Sequence, residues 1–151
     1  MTDTTVIDND VRLHIYRSFL TNGAPPRVEE TARALSMTEG DATAAYQRLA
    51  DGRVIVLAGG THDVLMAAPL SAIPTRYRVK LGAGRVFYAN CVWDAMGVFA
   101  MLGQDGDVDT SCPDCDEPFT LNVRNRELVP SDSVVHFAVP AADWWKDIVF
   151  T

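Results

Sequence analysis

The sequence predicts an α+β fold, with helices gathered in the first part of the chain and short strands in the second. Apolar residues recur at helical spacing near the start, at Val11, Ile15 and Phe19. After residue 67, short apolar runs separated by turn residues replace that spacing. Because the strands are clustered and do not alternate regularly with helices, the order is α+β and not a succession of βαβ units.

The first half of the chain predicts three helices followed by a hairpin. The first helix ends at Asn22-Gly23, and the third begins with Thr38 as a capping residue and ends at Gly52. Two apolar runs, 54–57 and 63–66, flank a glycine pair that is typical of a hairpin turn. The buried positions expected of the first two helices are Val11, Ile15, Tyr16, Phe19, Val28, Ala32 and Leu35.

This order is that of a winged helix-turn-helix, in which residues 41–51 would be the recognition helix. That segment carries one base, Arg48, against Asp41 and Asp51, and the chain has a net charge of −7. Because phosphate contacts supply most of the non-specific affinity for DNA, DNA is an unlikely partner. We therefore interpret residues 1–67 as a winged-helix-like helical module that packs against the rest of the chain.

The second module, residues 68–151, is expected to be a small mixed-strand α+β core. A connector bounded by prolines, 68–74, separates it from the first module. Its expected elements, in chain order, are strands at 77–79 and 86–88, a helix at 91–102, strands at 107–111, 119–123 and 134–139, and a short helix through 143–146.

A thiol and a carboxylic acid lie three residues apart where the predicted helix begins, at Cys91 and Asp94. This spacing puts both groups on one helical face, and Asn90 is a good capping residue before them. The helix N-terminus would lower the pKa of Cys91, whereas apolar neighbours would raise it, so the sequence leaves the sign open. Asp94 stands in an apolar stretch and should be exposed, paired or functional. The alternative is that Cys91 is a buried small hydrophobe.

The other two thiols belong to Cys112-Pro113-Asp114-Cys115. This motif is compatible with half of a zinc site, a redox pair, or a tight turn between two strands. A structural zinc site needs four ligands, and the histidines are dispersed, so the turn is favoured.

Composition is ordinary for a soluble globular protein, with 48% hydrophobic and 22% charged residues in a chain of 151. No apolar run is long enough to cross a membrane, and the start, Met1 to Thr5, lacks the features of a signal peptide. We therefore expect a cytoplasmic protein whose three cysteines are reduced thiols.

Four motifs together resemble the core of the organomercurial (alkylmercury) lyase family. They are Arg85-Val86-Phe87-Tyr88-Ala89-Asn90-Cys91, Trp93-Asp94-Ala95, Val108-Asp109-Thr110-Ser111-Cys112-Pro113 and His136-Phe137-Ala138-Val139-Pro140. The resemblance covers roughly residues 66–151.

The resemblance implies cleavage of a carbon–mercury bond in a small organometallic substrate. The thiolate of Cys91 would capture mercury, and the thiol proton would pass through Asp94 to the departing carbon, giving a hydrocarbon and Hg(II). It implies no resident cofactor or metal and a small-molecule thiol as co-substrate. Beside it we keep a separate hypothesis from the residues: Cys112 and Cys115 are substrate-binding, a substitute mercury ligand that could retain Hg(II) after cleavage.

The family also uses a second essential cysteine, expected on a strand beyond a region like Pro140 to Thr151. The sequence given ends at Thr151, so either that cysteine follows it or the chain is a shortened relative. A different class of function stays open beside the enzyme: a non-catalytic winged-helix regulator, or a thiol-based sensor of metals or oxidants.

Overall fold

Helices come first in the structure and strands dominate after residue 55, as the sequence predicts. The structure is a computed structural model that describes residues 4–149. Met1 to Asp3, and the last two residues of the region expected to precede a second cysteine, lie outside the described residues. The helices are α1 Thr4–Asn22, α2 Val28–Ala34, α3 Glu39–Asp51 and α4 Val92–Leu102, with 3₁₀ turns at Gly82–Gly84 and Ala141–Lys146.

The eight strands form one sheet. They are β1 Val56–Leu57, β2 Val64–Ala67, β3 Leu70–Ser71, β4 Tyr77–Leu81, β5 Val86–Ala89, β6 Gly106–Ser111, β7 Pro118–Arg124 and β8 Glu127–Leu128. Their order across the sheet is β1-β2-β3-β5-β4-β6-β7-β8, and each neighbouring pair is antiparallel.

The three N-terminal helices form as their sequence signals indicate. Val11, Ile15 and Phe19 recur on one face of α1 and are buried. The Thr38 hydroxyl caps α3 by accepting a hydrogen bond from the backbone N–H of Asp41 at 3.1 Å. These local signals therefore predicted the end of α1 and both ends of α3.

The hairpin that follows these helices pairs with the strands of the second half. β2 pairs with β3, which lies beyond the predicted boundary at residue 67, and one hydrophobic core contains residues from both sides. Arg48, the base in the predicted recognition helix, binds Asp8 of α1, with 2.6 Å between Nη2 and Oδ1. The winged-helix interpretation and the domain boundary stay predictions.

Helix α4 packs on β4 and β5 and positions the candidate site. Its buried residues, Ala95, Val98 and Phe99, belong to the same core as Val79 and Phe87 of those strands. The helix ends as predicted at Gly103, whose φ of 61° lies in the left-handed region that glycine adopts without strain.

The prediction of a strand at 134–139 is wrong. The segment has no regular structure, and Val134 and Phe137 are exposed by 88% and 43%. The outer side of β7 is instead paired with β8, through Val123 and Leu128, so the apolar run has no partner at this edge of the sheet. Between residues 4 and 149, none of the helices is both long and apolar enough to span a membrane.

Candidate active site

Cys91 lies in the short connection from β5 to α4 and is itself the N-cap of that helix. Its backbone is extended, with φ −148° and ψ 179°, and its sulfur accepts a hydrogen bond from the backbone N–H of Asp94 at 3.4 Å. The prediction that Asn90 caps the helix is therefore wrong by one residue. The sulfur takes the position of the usual capping oxygen because the helical dihedral angles begin only at Val92.

Asn90 holds the carboxyl group of Asp94 instead. Its amide Nδ2 donates to Asp94 Oδ2 at 2.9 Å and to the Leu70 carbonyl at 3.5 Å. Its Oδ1 is buried and has no hydrogen-bond partner within residues 4–149. Since the amide occupies Oδ2, the other carboxyl oxygen of Asp94 is the better position for a proton.

Burial governs the ionisation of both groups. Burial raises the pKa of the Cys91 thiol; the backbone N–H of Asp94 lowers it, and the nearby carboxylate of Asp94 raises it again. Burial also raises the pKa of Asp94, and the Asn90 amide opposes that rise. The sequence leaves the direction of the Cys91 pKa shift open, and in the structure that shift is upward. At neutral pH the thiol keeps its proton beside a carboxylate that is more basic than usual.

Two tyrosines from other elements lie within electrostatic reach of the pair. Burial raises the pKa of Tyr77 in β4, Arg76 lowers it, and the charge of Cys91 raises it. Burial likewise raises the pKa of Tyr16 in α1, Arg12 lowers it, and the charge of Asp94 raises it. Neither tyrosine was predictable from the sequence as a neighbour of the site, because separation along the chain gives no signal of contact.

An apolar groove of about 390 Å³ adjoins Trp93, the residue immediately before Asp94. The ring of Trp93 is 64% exposed and meets Phe137 edge to face at 6.4 Å between centroids. Phe137 in turn lies 5.3 Å from Trp144, whose indole N–H donates to the Val139 carbonyl at 2.8 Å. The segment wrongly predicted as a strand thus contributes an aromatic ring to a groove that meets the first turn of α4 at Trp93.

Cys112 and Cys115 occupy the predicted turn between β6 and β7. The backbone N–H of Cys112 donates to the Glu117 carbonyl, and the N–H of Asp116 donates back to the Cys112 carbonyl, both at 2.9 Å. Hydrogen bonds from the backbone N–H groups of Cys115 and Asp114, and then from the Cys115 thiol, lower the pKa of Cys112. Cys115 is exposed.

In the part of the chain that the structure describes, no three His, Cys, Asp or Glu side chains are grouped so that they could hold a metal ion. The cysteines therefore divide into two places: Cys91 beside Asp94, and Cys112 beside Cys115.

The fold and the site together define an α+β protein with a thiol–acid pair at the start of a helix. The chain belongs to the alkylmercury lyase family, whose model matches residues 70–151, more than half of the sequence. This match contains the thiol–acid pair and the turn with the other two cysteines, and it confirms the family resemblance seen in the sequence.

The fold is similar to that in the crystal structure of the mercury-bound form of MerB2. The TM-score is 0.63 at 22% sequence identity, and the match covers 82% of this chain and 60% of that one. This chain therefore spans less than two thirds of that protein's length. A search of curated proteins gave no match.

Proposed function

We propose that this protein cleaves the carbon–mercury bond of an organomercurial, releasing a hydrocarbon and Hg(II), with Cys91 and Asp94 as its catalytic residues. One observation carries the proposal: the Cys91 sulfur and the Asp94 carboxyl group share the first turn of α4, linked by the 3.4 Å hydrogen bond from the Asp94 N–H to the sulfur. Membership of the alkylmercury lyase family supports the same chemistry.

The chemistry begins with exchange of sulfur at mercury. A substrate R–Hg–SR′, where R′SH is a small thiol, reacts with the Cys91 thiol. The new bond is Cys91 S–Hg, the bond to the small thiol breaks, and the Cys91 proton moves to the Asp94 carboxylate. Thiolate sulfur suits this step because mercury is a soft ion. The raised pKa of Asp94 makes it a stronger base for that proton.

The second step returns the proton to carbon. The C–Hg bond breaks with its electron pair on carbon, which takes the proton from Asp94, and R–H leaves. The displaced R′S⁻ then binds mercury, so the product is Hg(II) between Cys91 and the small thiol. Because Asn90 donates to Asp94 Oδ2, we assign Oδ1 as the atom that carries the proton. A proton donor placed in this way typically accelerates a reaction by about 10² to 10⁴-fold.

The apolar groove is the proposed position of the organic group R. Its volume of about 390 Å³ and its aromatic rings, Trp93, Phe137 and Trp144, suit an aryl or short alkyl group. The small thiol is the proposed co-substrate, since it presents mercury to Cys91 and removes it afterwards. The proposed chemistry uses no resident cofactor.

The test is release of benzene from phenylmercuric acetate in excess glutathione, measured by gas chromatography. We expect multiple turnovers in the unchanged protein and loss of release in Cys91→Ser and Asp94→Ala. Asp10→Asn, which alters an exposed carboxylate on α1, is a matched control for loss of charge and should retain release. Stoichiometric mercury binding with no benzene would overturn the enzyme and favour a thiol-based sensor.

A further inference from the structure

The candidate active site and the turn with the other two cysteines lie at the same end of three neighbouring strands, β5, β4 and β6. Tyr77 at the start of β4 pairs with Ala89 at the end of β5, two residues before Cys91. On its other side β4 pairs with β6, whose last residue, Ser111, immediately precedes Cys112. β5 and β6 flank β4, so their ends are separated by two strand spacings, about 10 Å.

The turn presents its two thiols to one another and to solvent. Hydrogen bonds between Cys112 and Glu117, and between Asp116 and Cys112, close the backbone around the motif. The two cysteines stand three residues apart in this closed turn, the Cys115 thiol helps to lower the pKa of Cys112, and Cys115 is exposed. A closed turn that brings two thiols together can chelate an ion that takes two soft ligands with little loss of conformational entropy.

We infer that Cys112 and Cys115 form a two-sulfur site for a thiophilic metal ion and that, in this protein, it receives the Hg(II) produced at Cys91. The second part rests on the proposed function; the first part does not. The two thiols together supply both ligands of a linear S–Hg–S complex, which a single exposed cysteine cannot do.

The transfer is a thiol exchange that balances without any oxidant or reductant. After cleavage, Hg(II) is bound at the active site between Cys91 and the sulfur of the small thiol R′SH. The two turn thiols form two new S–Hg bonds, the bonds to Cys91 and to R′S break, and the two thiol protons move to those sulfurs. Cys91–SH and R′SH are regenerated, so the active site is ready for another substrate molecule.

The site can be isolated by substitution, because the chain has three cysteines. Cys91→Ser leaves only the turn pair, and it is titrated with mercuric chloride in the presence of glutathione and a phosphine reductant. We expect one mercury per chain. Adding Cys112→Ser or Cys115→Ser should weaken retention against glutathione at least about tenfold, because a tethered second thiol acts at an effective concentration of roughly millimolar or more.

Glu117→Gln in the Cys91→Ser background is the matched control, since it alters an exposed side chain of the same turn and keeps both sulfurs. It should retain mercury as tightly as Cys91→Ser alone. Equal retention by the pair and by either single thiol would overturn the inference. Circular dichroism establishes that each variant is folded.

A second measurement uses the unchanged protein and needs no substitution. Mercuric chloride should protect Cys112 and Cys115 together from iodoacetamide, as mapped by peptide mass spectrometry. Protection of one without the other would also overturn the site. If benzene is released but the pair does not retain mercury, this inference fails and the proposed function stands; if the pair retains mercury but no benzene is released, the proposed function and the transfer fail, and the metal site stands.

Discussion

The two thiol sites lie at the same end of neighbouring strands in one sheet, yet the pKa values of Cys91 and Cys112 are shifted in opposite directions. Cys91 is half-buried at the N-terminus of an eleven-residue helix, and burial raises its pKa. Cys112 lies in a surface turn, where two backbone N–H groups and the Cys115 thiol lower its pKa. A helix N-terminus would be expected to favour a thiolate, but here the surface turn does so.

Burial separates the two hydrogen-bonded thiols. Both sulfurs accept backbone N–H groups and both have a carboxylate nearby, Asp94 for Cys91 and Asp114 for Cys112. Burial is the largest influence on the pKa of Cys91, whereas the hydrogen bonds outweigh it at Cys112. The consequence suits the proposed roles. Cys91 retains the proton that carbon must receive, whereas Cys112 is prepared to bind a soft cation.

The largest expected effect is a contrast in alkylation. At neutral pH iodoacetamide should modify Cys112 several-fold faster than Cys91, because the lowered pKa of Cys112 and the raised pKa of Cys91 give Cys112 the larger thiolate fraction. The lower intrinsic reactivity of a less basic thiolate offsets less than half of this gain. Peptide mass spectrometry over a time course measures both rates. Equal rates would show that the two environments do not differ as described.

The next effect concerns Asn90, which we expect to be a positioning residue for Asp94. Asn90→Ala should lower kcat for benzene release several-fold, up to about tenfold, because the carboxyl group loses its orientation. The amide also lowers the pKa of Asp94, so its removal should raise that pKa. Ionised Asp94 accepts the thiol proton, and activity therefore declines as pH falls through this pKa. The acid limb of the pH–rate profile should move to higher pH.

An unchanged acid limb in Asn90→Ala, with lower kcat, would contradict this role and indicate a structural effect alone. Folding itself should be little affected. The substitution removes a buried carbonyl oxygen that has no hydrogen-bond partner in residues 4–149, and its loss offsets part of the lost amide contacts.

A smaller effect is expected on Cys91 itself when its neighbour loses charge. The Asp94 carboxylate raises the pKa of Cys91, so Asp94→Asn should lower that pKa while keeping the capping N–H. The pH profile of Cys91 alkylation should move to lower pH but stay above that of an ordinary thiol, since burial remains the larger cause. The profile of Cys112 serves as the internal control. A shift of Cys91 to higher pH would contradict the described electrostatics.

The smallest effect is on stability. Burial raises the folded-state pKa of Asp94 above the ordinary value of 3.8. Between pH 3.8 and the raised pKa, the native state binds more protons than the unfolded state, so the free energy of unfolding falls as pH rises. Asp94→Asn does not titrate and should be more stable than the unchanged protein at neutral pH, by about 2 °C in Tm. The difference should vanish below pH 3.8. Calorimetry at both pH values tests this, and a destabilised Asp94→Asn at neutral pH would contradict it.

Much of the fold was predictable because its signals are local. The burial of Val11, Ile15 and Phe19 follows from their spacing, and the capping hydroxyl of Thr38 and the glycine after α4 mark helix ends directly. The segment 134–139 was mispredicted because strand formation requires a free neighbouring edge, and apolar composition carries no information about that edge.

The candidate site was predictable to the same extent. The spacing of Cys91 and Asp94 predicted that both groups lie in one helical turn. The 3.4 Å hydrogen bond from the Asp94 N–H to the Cys91 sulfur agrees with this prediction. The choice of capping residue was wrong by one position, because the side chain of Asn90 is drawn to Asp94 and to the Leu70 carbonyl of β3. That second contact joins residues twenty positions apart.

By itself the sequence determined the family, most of the order of helices and strands, and the placement of a thiol and an acid at a helix start. Hydrogen bonds within one turn depend on neighbours a few residues away, so local sequence is sufficient for them. Only the tertiary structure decided that Cys91 keeps its proton, that Tyr77 and Tyr16 lie within electrostatic reach of Cys91 and Asp94, and that an aromatic groove forms at Trp93. Desolvation depends on everything that packs around a group, and those segments come from distant parts of the chain.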